Sequence, residues 1–189
     1  IIAESAKELT VFQRTPNFSV PSRNKKLSKT FFSKFKSDIE YYRSEMLAAR
    51  HGHPWTAPDS SVAKTSKDAR EEIFEKAWEI GGLRFRESFG DTLTNLESNN
   101  LMSDFIKRKI SEKVKNSETA KTLSNFDHPF GTKRPALDTS YFETFNKENV
   151  NLVDIRIDPI KKISRCGLET ETKTFNFDML VFATGFDAL

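Results

Sequence analysis

The stretch Leu9-Thr10-Val11-Phe12-Gln13-Arg14-Thr15-Pro16 (LTVFQRTP) decides how this chain is read. LTVFQ, dense in apolar and β-branched residues, reads as a short, buried parallel strand. Pro16 forbids a helix immediately after it. Before it, Ile1, Ile2 and Ala6 with Glu4, Lys7 and Glu8 read as the last two turns of an amphipathic helix. Helix followed by buried strand is the repeating step of an α/β fold. Ligands in open α/β sheets lie beyond the carboxyl ends of the strands, which makes Gln13, Arg14 and Thr15 the first binding candidates.

Working outward, RTPNFSVPSRN reads as a surface loop, because Pro16 and Pro21 interrupt a polar run. From Ser28 to about Arg50, Phe31, Phe32, Phe35, Ile39, Tyr42, Met46 and Leu47 recur at helical spacing. HGHPWTAPDSS ends that helix. Ala69–Ile80 gives a second, closed by Gly81-Gly82, Leu96–Val114 a third, and Ser117–Leu123 a short fourth. FDHPFGTKRPALD, with prolines at 129 and 135, reads as an irregular loop, and Thr139 as the cap of a short helix, SYFETFN. Strands are expected at Val150–Val153, Ile160–Ser164 and Leu168–Thr170, with a Cys166-Gly167 turn. Asp178–Ala183 (DMLVFA) reads as a last, buried strand. The fold class is therefore α/β: a partial Rossmann-like domain from residues 1–23 and 124–189, with a helical insertion over 24–123. A helix already under way at Ile1, and a strand just before the last residues, lead to the expectation that both ends are truncated.

Composition narrows the function classes. The 17 phenylalanines among 189 residues argue against disorder. No apolar run approaches the roughly 20 residues of a membrane span. Thirty basic against 27 acidic side chains give +3, which excludes a globally basic nucleic-acid coat protein but not a local anion site. A single cysteine, Cys166, permits no internal disulfide and points to a reducing, cytoplasmic interior. His51, His53 and His128 are too few and scattered for a metal cluster, so no metal is expected.

At the second strand of a dinucleotide fold an acidic residue holds the ribose 2′-hydroxyl of NAD. Here the residue is Arg14, followed by Thr15, and a guanidinium beside a hydroxyl suits the 2′-phosphate of NADP. The plainer alternative is a solvated loop arginine. The partner glycine fingerprint falls about 20 residues earlier, upstream of Ile1. The seven glycines present form no G-x-G-x-x-G, so no phosphate loop lies in the chain. Gly131-Thr132-Lys133-Arg134-Pro135 displays two adjacent cations near two prolines, fit for two different anions or simply a solvated turn. Ala183-Thr184-Gly185-Phe186-Asp187 leaves the last strand at a glycine that allows close ligand approach or a sharp turn. Residues 1–36 carry eight cations against two acids, most simply a solvated face. His51, His53 and Trp55 form at most a weak metal or ring-stacking constellation.

Together LTVFQRTPNFSVP, GTKRPALDTSYFETFNKENVNLVD and FDMLVFATGFDAL resemble the class B flavoprotein monooxygenases of the Baeyer–Villiger type. WEIGGLRF and DFIKRKI in the helical block are similar too, so the resemblance runs through the whole chain in order. It implies an NADPH- and FAD-dependent enzyme that uses O2 to insert oxygen beside a ketone carbonyl, through a C4a-peroxyflavin, giving an ester or lactone. It further implies that Arg14 and Thr15 contact the 2′-phosphate, that Lys133 supports NADP, and that Arg134 is the catalytic arginine beside flavin and nicotinamide. Thr184 and Gly185 then lie at a hinge close to cofactor.

The departures are Phe18, where the family often has Trp, and the absence of the family's Phe-Gly-His-Trp fingerprint, of both glycine-rich motifs and of the acidic residue on the FAD side. On this reading they belong to missing N- and C-terminal parts of the same polypeptide, and the chain alone neither retains FAD nor oxidises NADPH. The rival readings are an N- or S-oxygenating flavin monooxygenase and a non-catalytic basic module for an acidic partner.

Overall fold

The computed structural model describes residues 1–49, 52, 53 and 55–185. In chain order the elements are α1 (Ile2–Ser5), β1 (Leu9–Gln13), β2 (Ser19–Pro21), α2 (Lys29–Ser37), α3 (Ile39–Ala48), α4 (Lys67–Ile80), a 3-10 turn (Leu83–Glu87), α5 (Leu96–Lys113), α6 (Ser117–Leu123), β3 (Ala136–Asp138), α7 (Tyr141–Thr144), β4 (Val150–Asp154), β5 (Ile160–Ser164), β6 (Gly167–Thr170) and β7 (Thr174–Asn176). They fall into two compact units: Ile1–Thr15 with the chain from Lys147 onward, and Pro16–Asn146.

In the first unit β1 and β4 run parallel, from Leu9 opposite Val150 to Gln13 opposite Asp154. Their connection is the long crossover that contains the helices, as a parallel pair requires. Asn149 fastens α1 to this pair by donating from Nδ2 to the carbonyls of Ala3 (3.1 Å) and Ala6 (2.9 Å). β5, β6 and β7 form an antiparallel meander. A Cβ at Gly167 would collide with the Phe175 carbonyl, so this end of the central strand β6 requires glycine. Phe12 of β1 packs edge-on against Phe175, with ring centroids 5.1 Å apart. Asp158 accepts from the Thr170 and Thr172 hydroxyls at 2.7 and 2.8 Å.

The expected strand over Asp178–Ala183 is not formed. Strand structure ends at Asn176, and Met179, Val181 and Phe182 are exposed. An apolar run becomes a strand only when a neighbouring ladder takes up its amides and carbonyls. No strand among the described residues pairs with this one.

The second unit is built on aromatic packing between helices. Phe74 of α4 meets Phe105 of α5 at 5.1 Å and Phe89 at 5.4 Å, and Trp78 meets Phe85 at 5.3 Å. Met102, Ile106 and Ile110 continue the buried stripe of α5. Side chains that bury this much area dominate the energetics of a small core. The helix expected from Ser28 to Arg50 is two helices, divided at Asp38. There the Ser37 hydroxyl bonds both the Lys34 carbonyl (2.9 Å) and the Asp38 carboxylate (3.0 Å), a local alternative to helix continuation. Apart from the half-buried Tyr42, the large apolar positions of α2 and α3 are exposed, Phe31 and Phe32 about half so. Arg50, where that helix was expected to end, lies outside the described residues.

Two expected loops contain strand. Phe18, Ser19, Val20 and Pro21 are buried rather than on the surface, and β2 pairs in parallel with β3, Ser19 opposite Ala136 and Pro21 opposite Asp138. Proline excludes helix, but it is compatible with the end of an edge strand, where its missing N–H is not needed. The short helix α7 has Ser140, not Thr139, at its N-cap. Asp138 supplies the acceptor, its Oδ1 lying 2.5 Å from the Tyr141 amide, while the Thr139 hydroxyl pairs with that of Ser22 (2.8 Å). Lys113 closes the arrangement with ion pairs to Asp138 (3.2 Å) and Glu143 (2.9 Å). Burial, and then the Asp138 charge, push the Tyr141 phenol pKa up.

Candidate functional site

At the carboxyl end of β1, Arg14 is exposed and Thr15 half-buried. The acidic group facing this strand end is Asp154, in register with Gln13. Asp154 is already neutralised: Arg156 grips it with Nε to Oδ1 at 2.9 Å and Nη2 to Oδ2 at 2.6 Å, a two-point pairing of guanidinium and carboxylate. The Arg156 hydrogen bond holds the carboxyl below the usual aspartate range. The Ile155 amide donates to the Gln13 carbonyl at 3.0 Å, closing the strand end. No carboxylate among the described residues pairs with Arg14. An exposed cation next to a neutralised acid can receive a phosphate dianion.

Thr184 and Gly185 are exposed, and Gly185 has φ +86° with open space where a side chain would stand. Phe186 and Asp187 of the same expected motif lie outside the described residues.

The Lys133–Arg134 pair stands on the Pro129–Pro135 loop of the second unit, both side chains exposed. The loop is held from beneath by Asn99, a buried residue of α5. Its Nδ2 donates to the Phe130 carbonyl (2.8 Å) and the Thr92 carbonyl (2.8 Å), and its Oδ1 accepts from the Phe130 amide (2.9 Å). Phe130 thereby drops into the aromatic core, 6.1 Å from Phe85 and 5.4 Å from Phe18. Gly131 follows at φ +86°, where an added Cβ would lie 2.5 Å from Leu93 Cδ2. Asn17 Nδ2 donates to the Arg134 carbonyl at 3.0 Å.

Arg134 lines a cavity of about 660 Å³ walled by the apolar side chains of Trp55, Leu83, Leu93 and Phe130 and by the polar Arg86 and His53. Lys133 is not among the lining residues, so the two adjacent cations have separate surroundings. Arg86 is tied into a side-chain cluster, its Nη2 2.9 Å from His53 Nε2 and its Nε donating to Glu87 at 2.8 Å. The His53 and Trp55 rings stack at 4.8 Å, tilted by 32°. His51 lies outside the described residues. Among the described residues no three His, Cys, Asp or Glu side chains are grouped as metal ligands.

Asn17, Asn99 and Arg86 were not singled out from the sequence. Asn99 had a signal: it sits on the apolar stripe of α5, seven residues before Ile106, where a buried amide must find partners.

No protein-family model matches the chain. Cyclohexanone 1,2-monooxygenase of Acinetobacter sp. is 41% identical over 193 residues, covering 100% of this chain and 35% of that protein. A solved structure of OTEMO in complex with FAD and NADP superposes with a TM-score of 0.96 at 37% identity, over 100% of this chain and 36% of that one. The chain is homologous to the Baeyer–Villiger-type monooxygenases. It spans about 35% of the length of the relatives it matches. Phenazine N-monooxygenase PhzNO1 of Lysobacter antibioticus is also similar to this chain, 36% identical over 97% of it and 34% of that protein.

Proposed function

We propose that the chain works within an NADPH- and FAD-dependent monooxygenase that inserts one atom of O2 beside the carbonyl of a small ketone, forming an ester or lactone. The observation that carries this reading is the Arg134 loop: a guanidinium on a braced backbone, bordering a largely apolar cavity large enough for a small molecule. FAD, when bound, supplies the activated oxygen, and NADPH the electrons.

The residues of this chain fit the nicotinamide nucleotide. Arg14 and Thr15 receive the 2′-phosphate, with Asp154 removed from competition by Arg156. Lys133 is a further cofactor-binding residue on this reading, and Thr184 and Gly185 lie close to cofactor. Residues 1–23 and 124–189 form the nucleotide-binding part and 24–123 the helical insertion. Arg134 stabilises negative charge on oxygen as it develops during the transfer, the role of a cation held in place beside the reacting atoms. A cytoplasmic setting belongs to this reading. Among the described residues no helix is long and apolar enough to cross a membrane.

Oxygenation of nitrogen or sulfur is the second reading, favoured by the likeness to a phenazine N-monooxygenase. Product analysis of the full-length protein with a cyclic ketone and with a heteroaromatic amine separates the two. In the same protein Arg134→Ala should leave flavin reduction by NADPH intact and abolish ester formation. Undiminished ester formation in that variant overturns the role given to Arg134.

A further inference from the structure

We propose that Asn17 and His128 are positioning residues for Arg134, linked to it by a chain of hydrogen bonds in which His128 Nε2 donates to Asn17. This rests on the oxygenase role of Arg134 and extends it.

The Arg134 side chain is exposed, and no carboxylate among the described residues holds its guanidinium. Its aim is therefore set by its backbone. The Arg134 carbonyl can only accept, so the Asn17 group 3.0 Å away is necessarily the amide NH2. That choice turns Asn17 Oδ1 toward His128 Nε2, at 3.3 Å. Oδ1 also can only accept, so Nε2 must donate. On the other side of the ring, Nδ1 stands 2.8 Å from the Asp127 carboxylate, a second acceptor. Both nitrogens thus face acceptors whose identity is fixed, and the imidazolium satisfies both.

The ring has little room to reorient. Its side chain is 11% exposed and packs edge-on to Phe18 at 5.5 Å and to Phe126 at 6.5 Å, and Phe18 and Phe126 stack at 3.7 Å. Of these neighbours Asp127 is the ionised one; Asn17, Phe18 and Phe126 are uncharged. The Phe18 carbonyl accepts from the Ala136 amide at 2.9 Å, so the segment carrying Asn17 holds the backbone on both sides of Pro135. A side chain at 128 with no donor toward Asn17 Oδ1 leaves the amide that holds Arg134 without its anchor.

The test uses the full-length, FAD-loaded enzyme that contains this chain, with rapid mixing to separate flavin reduction from ester formation. Asn17→Ala should lower kcat for ester formation about tenfold, as loss of precise placement does, with the ketone KM and the reduction rate little changed. His128→Gln retains a donor toward Asn17 and should keep most of the activity, whereas His128→Leu removes that donor and should lower kcat as Asn17→Ala does, again with the ketone KM little changed. Wild-type kcat in Asn17→Ala, or equal kcat in His128→Gln and His128→Leu, overturns the proposal. Arg134→Ala, run beside them, tells the two failures apart. If it still forms ester, the role of Arg134 falls; if it alone is inactive and the Asn17 and His128 variants match the parent, only the positioning falls. Should Asn17→Ala fail to retain FAD, the comparison of His128→Gln with His128→Leu decides.

Discussion

Asn99 holds both backbone polar groups of one residue, taking the Phe130 amide at 2.9 Å and giving to the Phe130 carbonyl at 2.8 Å. One buried side chain of α5 thus does for the Arg134 loop what a neighbouring strand does for a strand. Replacing it with leucine removes the partners of three backbone groups, since the Thr92 carbonyl is served by the same amide. Asn99→Leu should therefore lower stability by about 3 kcal/mol, read as a shift of the urea midpoint. Asn99→Asp should be at least as damaging, because a carboxylate there faces two carbonyls; a neutral outcome for either refutes the clamp.

The turn at Gly131 carries two separable constraints, φ +86° and the approach of Leu93. Gly131→Ala should cost about 1–2 kcal/mol. Adding Leu93→Ala, scored against Leu93→Ala alone, should recover part of that cost but not all, because the extra space does not relieve the backbone. Full recovery in this double-mutant cycle shows that the side-chain contact is the whole effect.

The main architecture was legible because its signals were long or strongly patterned. β1 and β4 each show an apolar run, and α5 shows an apolar stripe over 18 residues. β2 and β3 were not legible: each has three residues, beside prolines that also mark loops, and their burial comes from partners remote in sequence. Asp178–Ala183 failed for the opposite reason, since its local pattern is strand-like and lacks a described partner. At the candidate site, the cations at 14, 133 and 134 stand out as residue types. Asn17, an ordinary polar residue between Pro16 and Phe18, does not: its meaning lies in a contact with Arg134, 117 positions away.

Acid should weaken the first unit through Asp154. The Arg156 hydrogen bond lowers its folded pKa beneath the unfolded value of about 3.9, so the associated stability is present above that value. It is lost as the pH falls through the folded pKa. Asp154→Asn should flatten this acid limb in a denaturation series, and an unchanged limb assigns it to other carboxylates.

Coenzyme choice should follow residue 14. In the full-length enzyme Arg14→Ala should reduce the NADPH-over-NADH ratio of kcat/KM by about 10- to 100-fold, the range for losing a charge-assisted hydrogen bond. Thr15→Ala should have a smaller effect in the same direction. Equal use of both coenzymes by the unaltered enzyme contradicts the assignment.

The Asp154–Arg156 clip bears on how such a protein can be re-engineered. A strand end whose acid is already matched leaves its outermost position under little architectural obligation. If residue 14 reads the coenzyme as proposed, its specificity is thus open to exchange, toward an acidic or neutral side chain, without the scaffold having to be rebuilt around the new charge.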